Sequence, residues 1–402
     1  MAAAPPGAQA ATLDVEGAYR TIPVKPDHKR YLVVHFEGLF YMDHDVPFGL
    51  ASASGLQGEV ADATVDIWEH HDISPAVKWV DDFSVFRFPK TDGLFHDISN
   101  GVRYAYGYDL TSIKLVIAPL GIPWHKDKGQ EFSDTFIYLG FDWDLPNKSV
   151  SLPNLKREKY LRKLSLLIST SERTQVLKAH AESVVGMLSH ITFVYQHGRS
   201  YMSNLYKWLT SFHGDFIPRW ITSSALTDLR WWFALLSQNH TPRSLAPGGC
   251  TRDYNIWVDA STEWGIGLIW GSHWSAWKLL DGWRGPSRDI GWLEGVAVEL
   301  AILATRAMGI RDADVLIRSD NEGVIGAFSK GRCSNFMTNL SIRRSDEVYS
   351  DVGISVTLIY VNTVDNLADP ISRGILPPSS QAFPLSIPIP ILLLSFISHV
   401  AI

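Results

Sequence analysis

Two adjacent aspartates, Asp81 and Asp82, stand between strand-like runs at residues 77–80 and 83–86. Apolar runs joined by a short polar step are typical of a β-hairpin, whose tight turn would project both carboxylates together. A third acid, Asp14, follows a short apolar run and precedes a turn-prone Glu-Gly step. Because Mg²⁺ prefers oxygen ligands, three acids on neighbouring strand ends suit two-metal phosphoryl transfer. Taken alone, the Asp81-Asp82 pair could also be an ordinary polar turn.

A second group of acids follows residue 250. Asp259 ends a β-branched and aromatic run, and residues 265–270 are expected to form the second strand of a hairpin with it. Residues 290–304 are apolar at helical spacing and carry Glu294 near their start. Glu299 lies five residues later on a different face of the same predicted helix. One acid of this helix is therefore a candidate metal ligand.

Two further acids complete this second group. Asp320 ends a strand-like run at residues 315–319, and Asp369 follows another such run at residues 355–361. Each acid alone is more often a surface carboxylate than a ligand. Four acids in this order and in these contexts favour a metal site.

The order of segments in the first half resembles the reverse transcriptases of retroelements, especially gypsy-like and DIRS-like polyproteins. Residues 14–19, Asp-Val-Glu-Gly-Ala-Tyr, resemble the first catalytic motif, in which Tyr19 would exclude the ribose 2′-hydroxyl. Phe48 and Gly49 belong to a Pro-Phe-Gly-Leu segment that resembles the one beneath the templating base pair. Trp79-Val80-Asp81-Asp82 stands where the family usually carries Tyr-x-Asp-Asp. Trp79 keeps an aromatic body but lacks the hydroxyl, which affects nucleotide handling more than metal binding.

The same resemblance extends downstream. Residues 138–141, with Leu139 and Gly140 at their centre, resemble the primer grip, where glycine lets the backbone approach the primer end. Lys128 resembles the late palm lysine that would protonate the leaving pyrophosphate. Lys126 would serve almost as well, and a solvated loop lysine is the other interpretation.

The second half resembles the ribonuclease H domain that follows reverse transcriptase in such polyproteins. The resemblance implies that four acids share two Mg²⁺ (or Mn²⁺) ions, and that Asn321 contacts substrate. The family's Glu-x-x-Ala pattern fits Glu294 to Ala297 and favours Glu294 over Glu299. Glu299 is then expected to be a solvated helix residue. The four expected ligands are Asp259, Glu294, Asp320 and Asp369.

Composition is consistent with several domains in a reducing compartment. A chain of 402 residues with 46% hydrophobic content can bury two or three cores. Its net charge of −6 is unusual for a nucleic-acid binder, although basic residues cluster at 152–164 around an apolar stripe. Cys250 and Cys333 have no zinc or disulfide spacing. The first eleven residues lack the features of a secretory signal, so an intracellular location, in cytoplasm or nucleus, is expected.

The resemblance predicts an α/β (α+β) fold in which a reverse transcriptase palm and a helical thumb and connection precede a ribonuclease H-like domain. The family's fingers are expected to be missing before Asp14, and the final segment is expected to be an unrelated tail. The predicted parts are a disordered leader at 1–11, a partial palm at 12–125, thumb and connection at 126–250, the ribonuclease H-like domain at 251–375 and an apolar, proline-containing tail at 376–402.

The implied function is RNA-directed DNA polymerisation at Asp14, Asp81 and Asp82, together with cleavage of RNA–DNA hybrids at the second group of acids. Implied partners are RNA–DNA hybrid, primer-template and deoxynucleotide triphosphates, with no membrane and no small-molecule cofactor. Without fingers to position the triphosphate, the nuclease is the activity expected to survive. One alternative is an inactive relic that at most binds nucleic acid. The other is an unrelated Mg²⁺-dependent phosphatase or nuclease that uses one cluster.

Overall fold

The protein is described by a computed structural model that covers residues 1–90, 94–97, 101–171, 173–238, 242–246 and 250–400. It divides into two compact units. Unit 1 comprises residues 1–156 and 240–247, and unit 2 comprises residues 157–239 and 248–402. Both units mix helices with sheets, and the predicted fold class is confirmed.

Unit 1 is built on a four-stranded antiparallel sheet with the order β4-β5-β1-β8. Helix α2 covers it by packing Ala61 and Trp68 into the core that contains Phe83. The elements are β1 (Gln9–Asp14), α1 (Pro26–Lys29), β2 (Val33–Phe36), β3 (Leu39–Met42), α2 (Ala53–His70), β4 (Ala76–Trp79), β5 (Asp82–Arg87), β6 (Leu94–Asp97), β7 (Gly101–Tyr104), α3 (Leu110–Val116), β8 (Gln130–Ser133), β9 (Thr135–Tyr138), β10 (Phe141–Asp144), β11 (Ser149–Ser151) and β12 (Arg243–Ser244).

Strand β1 starts earlier than the sequence predicted. The expected disordered leader ran to residue 11, whereas the strand begins at Gln9. Ala10 and Ala11 are fully buried, and Ala10 pairs with Phe86 of β5. Small side chains fit a crowded central strand, so an alanine-rich stretch that resembled a flexible leader is part of the sheet.

Unit 2 contains a six-stranded sheet with the order β17-β16-β13-β14-β15-β18. Strands β17, β16 and β13 run parallel, while β14, β15 and β18 continue the sheet in antiparallel fashion. The elements are α4 (Asn154–Thr170), α5 (Lys178–Ile191), α6 (Ser203–Thr210), α7 (Ser223–Ser237), β13 (Arg252–Ala260), β14 (Gly265–Trp270), β15 (His273–Leu279), α8 (Ile290–Ala307), β16 (Asp314–Ser319), α9 (Glu322–Lys330), α10 (Phe336–Val352), β17 (Ser355–Tyr360), α11 (Asp369–Ser372) and β18 (Ile397–His399).

Helix α8 lies at the centre of unit 2. Every residue from 292 to 305 is buried, so the helix is covered on all sides and not only along one stripe. It contacts the strands β13 and β14 as well as α10. The sequence of such a helix is apolar at almost every position. Acids within it must be protonated, or must be neutralised by bound cations or cationic side chains.

A buried ion pair joins the helical segment of unit 2 to α10. Arg343 of α10 bonds both oxygens of Asp228 in α7 at 3.0 and 3.1 Å, and Asn204 of α6 donates to Asp228 at 2.9 Å. The ring of Tyr201 lies against the Arg343 guanidinium. Burial raises the pKa of Asp228 to about 6, although Arg343 opposes this shift. Helices before and after residue 250 are therefore in direct side-chain contact.

The predicted tail is part of the same sheet. Its strand β18 pairs with β15, and Leu393 and Ile397 are buried in the main core of unit 2. Phe396 packs edge-on against Trp292 of α8. The segment from residue 376 is therefore not separate from the domain before it, because these apolar side chains pack on β15 and α8. Its lack of relation to the family stays a prediction. None of the helices in the described ranges has the length and apolar character needed to cross a membrane.

We expect Leu393→Ala to lower the free energy of unfolding by about 2–5 kcal/mol, because the change empties a packed site. Leu394 is the matched control, since it is the next residue and 52% exposed. Leu394→Ala should change stability by less than about 0.5 kcal/mol. Urea denaturation followed by circular dichroism measures both. Equal losses from the two variants would contradict the packing of this segment.

Candidate metal centre

Three acids meet at one edge of the sheet in unit 2. Asp259 lies near the end of β13, and Asp320 follows the end of β16 directly. Because these strands are parallel neighbours, their carboxyl ends lie at the same edge. Glu294 reaches this edge from α8, where its Oε1 accepts a hydrogen bond from the Ala260 amide at 3.3 Å.

The geometry of these carboxylates fits a divalent cation. Asp259, Glu294 and Asp320 each offer an oxygen, and these oxygens lie within 4.8 Å of one another. Within the described part of the chain, no other group of three acids, histidines or cysteines is this close. Glu294 Oε2 is buried and has no hydrogen-bond partner there. An unsatisfied carboxylate oxygen beside two other acids suits a hard metal ion with oxygen ligands.

Burial and mutual repulsion favour the protonated forms of two of these acids when no cation is bound. Burial raises the pKa of Glu294 to about 9, and the charges of Asp259 and Asp320 add to the effect. Burial also raises the pKa of Asp259 to about 7, against the opposing hydrogen bond from Ser372. A bound cation would reverse this preference and hold both groups ionised.

Three side chains that the sequence interpretation did not select hold the acids in place. Asn366 is buried and donates to Asp259 Oδ1 at 3.3 Å, and the Ser372 hydroxyl donates to Asp259 Oδ2. Thr363 donates to Asp320 Oδ2 at 2.7 Å. All three flank Asp369 in the segment 363–372. The choice of Asp369 from the sequence therefore identified the segment that contacts the acids, but not the three residues that make the hydrogen bonds.

Asp369 itself lies outside the close trio. Its carboxylate forms an ion pair with Arg373, at 2.8 Å from the nearest guanidinium nitrogen, one helical turn later. Its charge still contributes to the raised pKa of Asp259. The assignment of Asp369 as a fourth ligand stays a prediction.

Glu299 is not the solvated residue that the sequence suggested. It is 1% exposed and forms a two-point ion pair with Arg344 of α10, at 2.5 and 2.7 Å. The expectation was wrong because α8 is enclosed on all sides. Glu299 already has a cationic partner, whereas Glu294 has an unpaired oxygen, and this difference favours Glu294 as the ligand.

Asn321 caps the following helix. Its side-chain oxygen accepts a hydrogen bond from the Val324 amide at 3.1 Å, at the start of α9. This contact explains an asparagine at that position structurally. Its expected contact with substrate stays a prediction.

The acids of unit 1 are also neighbours, but in a looser group. Asp14 lies directly opposite Asp82 across the β1–β5 pairing, and Asp81 occupies the turn before Asp82. Burial, followed by the charges of Asp81 and Asp14, raises the pKa of Asp82 to about 6. Lys128 Nζ lies 3.2 Å from Asp14 Oδ2, so this lysine has an acidic partner and is not a free loop residue.

The hairpin turn that carries Asp81 has an unusual backbone. Val80 has a φ of 55°, which is sparsely populated for a β-branched residue. Such strain persists only where surrounding contacts impose it, and it occurs often at functional sites. Here the Val15 amide donates to the Asp81 carbonyl at 3.2 Å and fixes the turn against the end of β1.

Of the other residues assigned to substrate in unit 1, Tyr19 lies in a short 3₁₀ helix and the rest lie at turns. Tyr19 and Phe48 pack edge-to-face with ring centroids 5.2 Å apart, and Phe48 is largely exposed. Gly49 has a φ of 89°, and no heavy atom lies within 4 Å of the position that a Cβ would occupy, its chain neighbours apart. Leu139 and Gly140 form the two-residue turn between β9 and β10, both with positive φ. Their contacts with nucleic acid stay predictions.

Comparisons with known proteins give structural similarity only. No family model matches the chain, and no curated protein does. A foamy viral protease-reverse transcriptase in complex with RNA/DNA hybrid is 14% identical, with a TM-score of 0.43 over 92% of this chain. Its dRH form in complex with ds DNA is 14% identical, with a TM-score of 0.42 over 88% of this chain. The complex of the protease-reverse transcriptase with dsDNA is 15% identical, with a TM-score of 0.39 over 89% of this chain. The chain spans 45%, 57% and 68% of those three chains, about half the length of the first two.

We expect Glu294→Gln to raise the melting temperature in EDTA, increasingly so as the pH rises from about 5 to about 10. The pKa values of Asp259 and Glu294, about 7 and about 9, exceed those of the unfolded chain. Their stabilising contribution is therefore complete below about pH 4 and is lost as the pH rises through both values. Differential scanning calorimetry of both proteins measures this. Parallel curves at all pH values would contradict the raised pKa values.

A second pair of variants separates the two glutamates of α8. We expect Glu299→Gln to lower the free energy of unfolding by about 3 kcal/mol, because it leaves the Arg344 charge unpaired. Its melting temperature should still rise with added Mg²⁺, since ligand binding stabilises the folded state. Glu294→Gln should lose this Mg²⁺ response. The reverse pattern would assign the metal to Glu299.

Proposed function

We propose that unit 2 hydrolyses phosphodiester bonds with divalent metal ions, and that its substrate is the RNA strand of an RNA–DNA hybrid. The observation that carries this proposal is the approach of Asp259, Glu294 and Asp320 to within 4.8 Å of one another. The choice of hybrid as substrate rests on the sequence resemblance to ribonuclease H domains. This chain and ribonuclease H domains have the order of the acids along the sequence in common.

The protein's own groups would hold and orient the reacting partners. Asp259, Glu294 and Asp320 would bind Mg²⁺ or Mn²⁺, and the hydrogen bonds from Asn366 and Ser372 fix the Asp259 carboxylate in one orientation. Bound cations would activate the attacking water and stabilise charge on the leaving oxygen. Preorganised ligands reduce the reorganisation needed during the reaction.

Cationic side chains in the same unit support a phosphate-containing substrate. Arg373 is 54% exposed and close enough to lower the pKa of Asp259. Lys159, Arg162 and Lys163 are exposed on α4, which runs into unit 2. Such residues contact phosphate oxygens without regard to sequence. Local positive charge can therefore bind nucleic acid despite a net charge of −6.

Nucleotidyl transfer in unit 1 is the second candidate function. It is favoured by the pairing of Asp14 opposite Asp82 and by the position of Lys128 beside Asp14. Asp14, Asp81 and Asp82 would hold the metal ions for deoxynucleotide addition to a primer. Membership of gypsy-like or DIRS-like elements would account for both candidate activities in one chain.

We expect the purified full chain to cleave the RNA strand of a labelled RNA–DNA hybrid in the presence of Mg²⁺. Asp320→Asn should reduce the cleavage rate at least about 100-fold, because even the loss of a group that supports a metal ligand costs up to that factor. Gel analysis of the labelled strand gives both rates.

Two control variants accompany this assay. Asp365→Asn removes an exposed acid of the neighbouring segment and should leave cleavage unchanged. Asp14→Asn should also spare cleavage, but should abolish primer extension if unit 1 is a polymerase. Absence of cleavage, or equal cleavage by Asp320→Asn, would refute the nuclease. Salt-dependent filter binding without cleavage would then identify an inactive binder.

A further inference from the structure

Helix α2 in unit 1 buries an unusual side chain along its inner face. The buried residues of this helix are Ala53, Gln57, Ala61, Thr64 and Trp68, which follow helical spacing. Gln57 is the only member with a side-chain amide, and it is 2% exposed. A buried amide without hydrogen bonds lowers stability, so its surroundings require an explanation.

The side-chain oxygen of Gln57 has no hydrogen-bond partner within the described part of unit 1. Its Oε1 is buried and unbonded. The two neighbouring hydroxyl groups donate to main-chain oxygens, Thr64 to Val60 and Thr21 to Ala18, at 2.9 and 2.7 Å. Both hydroxyls thus donate elsewhere, and the side-chain oxygen of Gln57 remains unsatisfied.

Gln57 lines a cavity of about 230 Å³ between α2 and the sheet. Val15, Ala61 and Phe83 form a buried floor, while Pro23 and Leu120 belong to an exposed rim. A solute can therefore enter from solvent. A cavity of about 150 Å³ already accommodates benzene, so this one is large enough for a bicyclic molecule.

The chemistry of the lining restricts the ligand. The cavity is lined by aliphatic side chains, one phenylalanine, two threonines and Gln57, with no acidic, basic or histidine side chain. A charged ligand would lose hydration without finding an opposite charge. A primary amide offers one acceptor and one donor side by side. The matching group is a neutral lactam or similar heterocycle that carries an adjacent N–H and C=O.

We propose that this cavity is a binding site for a small, neutral, flat heterocycle whose adjacent N–H and C=O pair with the Gln57 amide. Apolar rings would fill the space between Val15, Ala61 and Phe83. Val15 and Phe83 each follow a carboxylate of unit 1, Asp14 and Asp82, along the chain. The site is separate from the nuclease proposed for unit 2, and its test does not depend on that activity.

The test uses 2-quinolone as the probe and saturation-transfer NMR with the full chain. We expect saturable binding to the unmodified protein, and binding at least about tenfold weaker to Gln57→Leu, which removes both polar atoms. Ala61→Leu fills the cavity from its floor and should abolish binding. Gln238→Leu is the matched control, because it makes the same change at an exposed glutamine of unit 2.

A second probe tests the pairing without any change to the protein. 1-Methyl-2-quinolone keeps the rings and the acceptor but lacks the donor, so it should bind at least about tenfold more weakly than 2-quinolone. Saturable binding that discriminates between the probes and is lost in both cavity variants supports the site. No saturable binding of 2-quinolone, or equal binding of the two probes, overturns it and leaves Gln57 hydrated by water.

Discussion

Unit 2 is organised around the mutual repulsion of three carboxylates in a place from which water is largely excluded. Asp259, Glu294 and Asp320 lie within 4.8 Å of one another, and burial raises the pKa values of the first two. Such a group is stable only with protons or cations between the charges. Parallel strands bring two of the acids to one edge, and an enclosed helix brings the third. The surrounding hydrogen-bond donors limit how far the group can relax.

The elements that carry these acids were predictable, but their partners were not. β-Branched and aromatic runs identified β13 and β16, and apolar residues at helical spacing identified α8. The environment of Glu299 was missed because its partner Arg344 lies 45 residues away and nothing local indicates it. The segment after residue 376 was misjudged for the same reason, because its apolar side chains have meaning only against β15 and α8.

Long-range contacts also cross a domain boundary that the sequence predicted. Sequence patterns suggested a boundary near residue 250, yet Arg343 is bonded to Asp228 and to the Ser200 carbonyl on the other side of it. A largely buried arginine with acidic and main-chain acceptors fixes the orientation of the helices that supply them. The helices between residues 157 and 238 thus belong to the same compact unit as the carboxylate-bearing sheet, and they contact it through α10.

The residues that donate hydrogen bonds to Asp259 are translated long after Asp259 itself. These donors, Asn366 and Ser372, lie 107 and 113 residues after the acid. During translation all three carboxylates emerge from the ribosome well before the groups that orient them. A premature stop codon between Asp320 and Asn366 would yield a product with every acid of the trio and no support for Asp259. The truncated protein would contain the three acids in the same order but would lack the hydrogen bonds that orient Asp259.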